Sequence, residues 1–171
     1  MFRRFLIVLP AALALGASSV SAVKADTAAQ ARKAIQAAYD REDAAFDRKD
    51  IKGALVNCAP DFQFIAPGGM RGGLADARQS LTTQFGRNSS FVARTTLQKL
   101  TLQGSKVIVT VKEYQVRTVV PRAPHAHMHK IVMVSIDQDT WVKHGNRWLR
   151  EMTRVLSQKQ TLDGKPIPQG E

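Results

Sequence analysis

The fold of this chain is decided by residues 37–69, which read AAYDREDAAFDRKDIKGALVNCAPDFQFIAPGG. The first part of this stretch ends a long alanine-rich helix, which we predict to run from about Asp26 or Thr27 to about Lys49. After that helix the hydrophobic period changes, first to a short helix and then to a strand followed by a glycine loop. The stretch therefore predicts two helices and a strand at the start of one domain.

The short helix and the strand have distinct end signals. Asp50 is predicted to cap a helix over residues 51–59, and Pro60 to end it. The alternating apolar residues of 61–65 predict a strand, and the Pro-Gly-Gly sequence that follows breaks it. Cys58 is the only cysteine and falls within the predicted short helix, so we expect a buried, unreactive thiol and no internal disulfide.

One carboxylate of the long helix falls on its apolar side. Glu42 shares a stripe with Ile35, Tyr39 and Phe46, at steps of four, three and four residues. A carboxylate that faces a core needs a partner, a proton or a wet cavity. The stripe therefore points to a pocket beside Glu42. The alternative is that Glu42 lies at the edge of the stripe and reaches solvent or a basic side chain.

The rest of the chain is rich in strands. We predict one further helix and four strands, at 74–86 and at 94–102, 106–120, 129–143 and 147–156. Helices followed by antiparallel strands predict an α+β domain over residues 26–157, with the helices on one face of the sheet. Residues 158–171 are polar and hold two prolines and two glycines, so we expect an extended or disordered tail.

The first 25 residues have the pattern of a secretory signal. Arg3 and Arg4 precede an apolar run that ends near Ala17 and is too short to span a bilayer. Ala22 and Ala25 each end an acceptable cleavage site. We therefore predict an exported protein, periplasmic or secreted, with no integral membrane segment after processing.

The chain is strongly basic, with a formal net charge of +11. Removal of residues 1–25 lowers this charge to +8, because the segment holds Arg3, Arg4 and Lys24 and no acidic residue. The remaining basic residues are spread along the chain, with no zinc-finger spacing or ribonucleoprotein motif. We therefore expect no nucleic-acid partner. The charge favours solubility and attraction to anionic ligands or surfaces.

A histidine tract is a candidate metal site. His125, His127 and His129 alternate along an extended stretch, and alternate strand residues share a face. Three such positions span too long a distance for one tetrahedral ion, so His127 and His129 with a distant carboxylate are the more feasible ligands. The alternative is a polar connection between strands, beside Pro121 and Pro124.

The last two predicted strands supply aromatic and charged candidates. Trp141 and Trp148 flank the final turn, where they either pack in the core or stack on a ligand. Arg150 would pair with Glu42 or bind an anionic ligand if its sheet face is concave. If that face is convex, Arg150 is an ordinary solvent-facing residue.

Catalysis, if present, would be acid–base chemistry. The chain has no Ser-His-Asp order, phosphate loop or nucleotide fingerprint. Asp137 and Asp139 share a strand face with apolar residues, so one of them could reach the pocket. Glu42 and Asp137 are therefore the candidate catalytic carboxylates.

Two stretches carry a resemblance to a known superfamily. The first runs from Ala38-Tyr39 through Asp50 to the strand at 61–65, and the second is DTWVKHGNRWLR at 139–150. With the order helix, helix, strand, glycine loop, helix and long sheet, they resemble the nuclear transport factor two-like superfamily. The closest resemblance is to its SnoaL-like branch of small secreted bacterial proteins. It implies a cone, in which a curved antiparallel sheet wraps around the N-terminal helices and leaves an apolar pocket at its wide end.

The catalytic residues of one enzyme in that superfamily are not matched. Ketosteroid isomerases carry an Asp-Pro on their first strand, and its aspartate transfers the proton. The matching place in this chain is Ala66-Pro67, and their oxyanion tyrosine falls on Glu42. The resemblance therefore does not imply steroid isomerisation, but it places Glu42 at a position that faces the pocket.

The resemblance and the helical stripe together predict an exported domain that binds a small, largely apolar molecule. The predicted ligand contacts are Tyr39, Phe46, Phe64, Trp141, Trp148 and Arg150. One alternative is a lyase, isomerase or hydrolase that uses Glu42 and Asp137. Another is a dimeric interaction or assembly module, which the superfamily forms through its open sheet face. No cofactor is expected.

Overall fold

The computed structural model describes residues 18–121 and 127–167, with side chains from Thr27 onward. Its helices are α1 (Ser18–Asp47), α2 (Ile51–Ala54) and α3 (Leu74–Arg87). Its strands are β1 (Cys58–Ile65), β2 (Arg71–Gly73), β3 (Asn88–Gln103), β4 (Lys106–Val119), β5 (His129–His144), β6 (Arg147–Leu162) and β7 (Lys165–Pro166). The predicted α+β cone of helices and a curved sheet is confirmed. No helix in the described residues is long and apolar enough to cross a membrane.

The strands form one sheet in the order β2-β1-β6-β5-β4-β3, with β7 paired to β6. All neighbours are antiparallel except β1 and β6, which run parallel, so the sheet is mixed rather than purely antiparallel. The hairpins that join β3 to β4 and β5 to β6 turn at Gly104 and Gly145. Both glycines have a φ of 59°, which favours a residue without a Cβ.

The described part of helix α1 starts at Ser18, so the helix already includes residues before the predicted start near Asp26. The residues before Asp26 include no proline or glycine from Ser18 onward, so nothing in the sequence stops the helix there. The predicted signal segment 1–25 overlaps this first part of α1. Its residues 1–17 lie outside the described part of the chain, and the signal stays a prediction.

The short second helix was predicted too long. Asp50 caps α2 as expected, since its Oδ1 accepts a hydrogen bond from the Gly53 N–H at 3.0 Å, but the helix ends at Ala54. Cys58 therefore lies in β1, where it pairs with Arg150 of β6. A shift in the β1–β6 register after Cys58 leaves room for Pro60, which has no N–H to donate to a ladder.

The sheet extends beyond the predicted domain boundary at residue 157. Strand β6 continues to Leu162, and β7 turns back to pair with it. Gly164, with a φ of 83°, and Asp163 form the connecting turn. Residues 158–162 pair with β5, and Lys165–Pro166 pair with β6, so this segment is extended, which was one of the two expectations, and not disordered. Residues 168–171 lie outside the described part of the chain.

Polar side chains of α1 cover the free edge of β3. Asp43 accepts hydrogen bonds from the Thr95 N–H at 2.6 Å and the Thr95 hydroxyl at 2.9 Å. Gln36 donates to the Thr95 carbonyl and accepts from the Leu97 N–H, both at 3.0 Å. Asp47 accepts from the Ala93 N–H at 3.1 Å. These side chains take the place of a neighbouring strand, and they hold α1 across the sheet.

The apolar core forms two clusters along α1. The first cluster contains Ala31, Ile35, Ala38, Tyr39, Leu97, Val107, Val109, Val111 and Trp141. The second cluster contains Ala45, Ala54, Leu81, Phe85, Phe91 and Ala93, with Phe46 packed against it. Phe46, Phe85 and Phe91 have ring centroids 5.3–5.8 Å apart. The predicted stripe is therefore confirmed as the inner face of α1, because Ile35 and Tyr39 belong to the first cluster and Phe46 packs on the second.

Candidate functional site

A cavity of about 250 Å³ lies beside the inner face of α1 and is closed by α3, β1 and the inner face of the sheet. Its apolar lining includes Phe46, Ala54, Leu55, Phe62, Phe64, Ala77, Leu81 and Val111. Its ionisable lining consists of Tyr39, Glu42, Asp43, Cys58, Glu113, Asp137, Asp139 and Arg150. One part of the wall is thus aromatic and aliphatic and the other part is strongly polar, so the cavity is more polar than the predicted apolar pocket.

The polar wall follows from the period of two along β4 and β5. Val107, Val109 and Val111 face inward on β4, and two further steps of two bring Glu113 and Gln115 to the same face. On β5 the inward positions include Ser135, Asp137, Asp139 and Trp141, all buried. Each strand therefore passes from an apolar half in the core to a polar half at the cavity.

Arg150 lies at the centre of the charged groups. Its Nη2 is 3.0 Å from Oε2 of Glu42, and its Nη1 is 3.4 Å from Oδ2 of Asp139. The guanidinium also lies over the rings of Tyr39, Phe62 and Trp141, with its Cζ 5.6–5.8 Å from their centroids. Burial disfavours the charge, but the two carboxylates outweigh burial and raise the pKa of Arg150 above its usual range. The residue is a fixed cation.

Glu42 is buried and both of its oxygens have partners. Oε2 meets Arg150, and Oε1 accepts a hydrogen bond of 2.9 Å from the Asn57 side chain. Burial raises the pKa of Glu42, and the charge of Arg150 and the bond from Asn57 oppose that rise. The sequence allowed an exposed Glu42 or a pocket-facing one, and Glu42 lines the cavity with only 3% of its surface exposed.

Tyr39 joins the helix to the far side of the sheet. Its hydroxyl donates to Oδ2 of Asp139 at 2.5 Å and accepts from Nε1 of Trp141 at 3.0 Å. Burial raises the pKa of Tyr39, and the negative charge of Asp139 raises it further. Tyr39 therefore keeps its proton and acts as a donor to Asp139.

Asp137 and Glu113 form a second acidic pair, which makes no hydrogen bond to Arg150 although the charge of Arg150 acts on both carboxyls. Asp137 accepts a 2.9 Å hydrogen bond from the Ser135 hydroxyl on Oδ2, and its buried Oδ1 has no partner. Glu113 accepts from the Gln115 side chain at 2.5 Å. Burial raises the pKa of Asp137 to about 7, and the neighbouring charge of Glu113 adds to the rise. Burial also raises the pKa of Glu113. Asp137 is thus poised to take up or release a proton near neutral pH.

Cys58 lines the cavity from β1. Its Sγ is 3.7 Å from Nη2 of Arg150, and burial raises the pKa of the thiol. A raised pKa keeps the sulfur protonated and weakly nucleophilic, in agreement with the expected unreactive thiol.

The structure brings together most of the side chains proposed from the sequence as site residues. Those that line the cavity are Tyr39, Glu42, Phe46, Phe64, Asp137 and Arg150. Two do not line it. Trp141 is fully buried and packs edge-to-face on Tyr39, with ring centroids 5.3 Å apart. Trp148 packs against the same core cluster. Both tryptophans are placed in the core, which was the alternative to ligand stacking.

The histidine candidates lie away from the cavity. His125 is outside the described residues, and His127 is exposed. His129 is exposed too, with its Nδ1 2.7 Å from Oδ2 of Asp163. Among the residues that the structure describes, no three His, Cys, Asp or Glu side chains are grouped so as to hold a metal ion.

Several residues of the site were not identified from the sequence, among them Glu113 and Asp139, which line the cavity, and Asn57, which holds Glu42 from outside the lining. Glu113 continues the alternation of the β4 valines, and that period was the signal that could have revealed it. Asn57 follows α2 in a turn, and no periodic pattern marks it. Asp139 was named only as a neighbour of Asp137, whereas its carboxylate contacts both Tyr39 and Arg150.

Comparisons with known proteins address the fold. No family model and no curated protein sequence matches the chain. Solved structures do. A scytalone dehydratase-like protein from Novosphingobium aromaticivorans aligns with a TM-score of 0.69 at 13% identity, over 86% of this chain and 99% of that one. A nuclear transport factor 2-like superfamily protein from Salmonella enterica aligns with a TM-score of 0.61 at 14% identity, over 83% and 95%.

The chain has the nuclear transport factor 2-like fold. A hexachlorocyclohexane dehydrochlorinase, LinA type 2, shares it, with a TM-score of 0.63 at 14% identity over 85% of this chain and 99% of that one. At these identities the likeness concerns the fold alone. The nuclear transport factor 2-like fold is known to support many functions, so the function of this chain must be argued from its own cavity.

Proposed function

We propose that this protein is an exported small-molecule-binding domain of the SnoaL-like type, with its ligand inside the cone. One observation carries the proposal: a cavity of about 250 Å³ combines an apolar wall with buried polar atoms that have no partner in the protein. Ligand pockets usually pair an apolar lining with a few placed polar groups. Oδ1 of Asp137 is such a group, because it is buried at the cavity and accepts no hydrogen bond.

The ligand has an apolar body and at least one polar end. Phe46, Phe62 and Phe64 offer the body an aromatic surface. The carboxylates of β4 and β5 require a hydrogen-bond donor, since a buried acceptor without a donor costs about 1–3 kcal/mol. A wholly apolar ligand would leave these acceptors unpaired.

The proposal is tested by narrowing the cavity from α3. Ala77 lines the cavity, whereas Ala75 is an exposed position on the same helix. We expect Ala77→Phe to abolish binding of small-molecule fragments detected by NMR, while the matched control Ala75→Phe binds them as the wild type does. In the wild type, shift changes should map to the cavity residues. Fragment binding that maps elsewhere, or that Ala77→Phe leaves unchanged, would contradict the proposal.

A second candidate function is acid–base catalysis in the same cavity. The pKa of Asp137 near 7 favours it, because a general acid or base works best near the ambient pH. Asp137 is a better candidate for proton transfer than Glu42, since both oxygens of Glu42 are occupied by Arg150 and Asn57. Two proteins with a similar fold are named as a dehydratase-like protein and a dehydrochlorinase, both of which denote eliminations.

The catalytic candidate is tested with a panel of hydroxylated and chlorinated cyclic compounds and mass-spectrometric detection of products. We expect turnover to require Asp137 and to be lost in Asp137→Asn, with Asp61→Asn, an exposed position, as the control. Turnover that survives in Asp137→Asn would exclude Asp137 as the proton-transferring group.

Export and self-association are further parts of the proposal. Residues 1–25 support export, and N-terminal sequencing of protein from the extracytoplasmic fraction should find cleavage after Ala22 or Ala25. Exposed apolar side chains on the outer face of the sheet, Val92 and Tyr114, together with the exposed Leu156 of β6, support a homodimer. A monomer at high micromolar concentration in equilibrium sedimentation would contradict it.

A further inference from the structure

The charges that line the cavity are unbalanced. Five of its ionisable side chains are acidic and only Arg150 is basic, although the chain as a whole has a formal net charge of +11. The chain is basic as a whole, but its cavity lining is acidic. Charges buried in a cavity are screened by solvent and salt less than charges on the surface. The charge of the cavity lining is therefore opposite in sign to that of the whole chain.

Three of the five acidic groups are already matched within the protein. Glu42 and Asp139 share the single charge of Arg150. Asp43 points to β3, where it accepts hydrogen bonds from the Thr95 N–H and hydroxyl. Both terminal nitrogens of Arg150 are thus engaged by carboxylates, and only its buried Nε has no hydrogen-bond partner. Among the described side chains that line the cavity, an anionic ligand would therefore meet no cation without a carboxylate at its side.

The remaining two acidic groups are neighbours on adjacent strands. In the β4–β5 register, Glu113 pairs with Ser135 and Val111 pairs with Asp137, so Glu113 and Asp137 are diagonal neighbours on the inner face. Diagonal positions are within reach of long side chains. Each carboxyl receives one neutral hydrogen bond, from Gln115 and Ser135 respectively, and neither faces a cation within hydrogen-bond distance.

Two carboxylate oxygens of β5 beside this pair have no hydrogen-bond partner, one on Asp137 itself and one on Asp139, whose other oxygen meets Arg150. Oδ1 of Asp137 and Oδ1 of Asp139 are buried without a hydrogen bond, in residues that are 5% and 1% exposed. Both residues line the cavity. Buried acceptors of this kind are complete only when a donor arrives, and a positively charged donor makes the strongest bonds to carboxylates.

We propose that the cavity binds a small organic cation, a primary or secondary ammonium on a short apolar body, with its nitrogen between Asp137 and Glu113. This inference rests on the proposed function, because it names the class of ligand that the same cavity takes. The ammonium donates two or three hydrogen bonds, which the carboxylates of the two strands accept. The apolar body lies against Phe46, Phe62 and Phe64, whose ring faces also attract a cation.

The bound ammonium competes with a proton. Asp137 faces Glu113 on β4, Asp139 on its own strand and Arg150 on β6. The carboxyl of Glu113 is in turn within the electrostatic reach of Arg150 on β6, Asp43 on α1 and Asp139 on β5, and it influences Arg117 further along β4. The ionised form of Asp137 is the form that attracts the cation, so affinity rises as the pH increases through about 7. Binding at neutral pH therefore releases protons.

The experiment compares three probes of nearly equal shape by isothermal titration calorimetry: 2-phenylethylamine, 2-phenylethanol and 3-phenylpropionate. At pH 8 we expect the amine to bind at least about tenfold more tightly than the alcohol, and the carboxylate more weakly than the alcohol. The preference for the amine should shrink at pH 6. Titrations at neutral pH in buffers with different ionisation enthalpies should show that binding of the amine releases protons and that binding of the other two probes does not.

Two variants test the assigned residues. Asp137→Asn and Glu113→Gln keep the shape of the side chains, and each should reduce the preference for the amine to about threefold or less, while the exposed control Asp61→Asn keeps it. Equal binding of amine and alcohol to the wild type would overturn the cation assignment and leave the small-molecule function intact. No binding of any probe to the wild type, or equal binding of the probes to the wild type and to Ala77→Phe, would overturn both.

Discussion

The hydroxyl of Tyr39 donates a 2.5 Å hydrogen bond to Oδ2 of Asp139, although the two residues lie 100 positions apart in the chain. The same hydroxyl accepts a hydrogen bond from Trp141, and the same carboxylate contacts Arg150. One phenol thus ties α1 to β5 and, through Asp139, to β6. These contacts hold Tyr39, Asp139 and Arg150 in place along the polar wall of the cavity.

Removal of the Tyr39 hydroxyl should destabilise the protein. Tyr39→Phe leaves the Trp141 N–H without its acceptor and leaves Oδ2 of Asp139 with Arg150 alone, at a cost of about 1–3 kcal/mol in the free energy of unfolding. Urea denaturation measures this loss. Tyr114→Phe is the matched control, because Tyr114 is 40% exposed on the outer face, and it should change stability by less than about 0.5 kcal/mol.

Replacement of Arg150 should lower the free energy of unfolding by more than Tyr39→Phe does. Arg150→Met leaves two buried carboxylates uncompensated, and we expect a loss of about 3–5 kcal/mol in the free energy of unfolding. Arg154→Met is the control on the same strand, since Arg154 is exposed. Arg150→Lys keeps the charge but has no planar guanidinium, so its loss in the free energy of unfolding should lie between those of Arg150→Met and Arg154→Met. A loss in Arg150→Met no greater than in Arg154→Met would show that the ion pairs contribute nothing to stability.

Stability should depend on pH through Asp137. Its pKa is raised from 3.8 to about 7 in the folded state, so between these values the folded protein binds more protons than the unfolded chain. Asp137 therefore lowers the free energy of unfolding progressively as the pH rises from about 4 to about 7, and the full loss is present above about pH 7. Between these two limits the free energy of unfolding changes by an amount on the order of 4 kcal/mol.

Chemical denaturation of Asp137→Asn at several pH values measures this dependence. The variant should gain stability relative to the wild type as the pH rises from 4 to 8, because it cannot ionise. Asp61→Asn, which removes an exposed carboxyl, should follow the wild type. A constant difference between Asp137→Asn and the wild type across that range would rule out a raised pKa at Asp137.

The hydrogen bonds between α1 and the edge of β3 are testable by amide hydrogen exchange. Asp43→Ala removes both acceptors of Thr95, so exchange at the Thr95 amide should accelerate, and stability should fall by about 1–3 kcal/mol. The Val111 amide, on the neighbouring strand, serves as the internal reference. If the Thr95 amide stays as protected as in the wild type, Asp43 is not what shields the edge of β3.

The sequence predicts the elements of this fold better than their ends. The long helix, the glycine turns and the order of the strands follow from hydrophobic period and turn residues, which are local signals. The end of α2 does not, because Cys58 is drawn into β1 by pairing with Arg150 from the other end of the chain. The extension of β6 to Leu162 depends likewise on partners in β5 and β7.

The site, too, could be predicted only in part, because some of its contacts depend on pairing between strands that are distant in the sequence. Glu42 is visible in the helical stripe, and Glu113 could be found from the alternation of β4. The partners of Arg150 require the register of β6. A shift in the β5–β6 pairing between Thr140 and Trp141 changes the alternation of β6, so that Arg150 faces the cavity while Arg154 is exposed. Residues four apart on a regular strand would share a face, and no sequence pattern marks this bulge.

The place of Arg150 near the end of the chain bears on how the protein is made. A ribosome delivers α1 first and β6 last, and domains complete their folding as the needed segments emerge. Glu42 and Asp139 are therefore synthesised before the one cation that neutralises them. A product that stops before β6 carries both carboxylates at the cavity with no guanidinium between them. We expect such a fragment to be cut by proteases faster than the full chain, because its two carboxylates have no counter-charge.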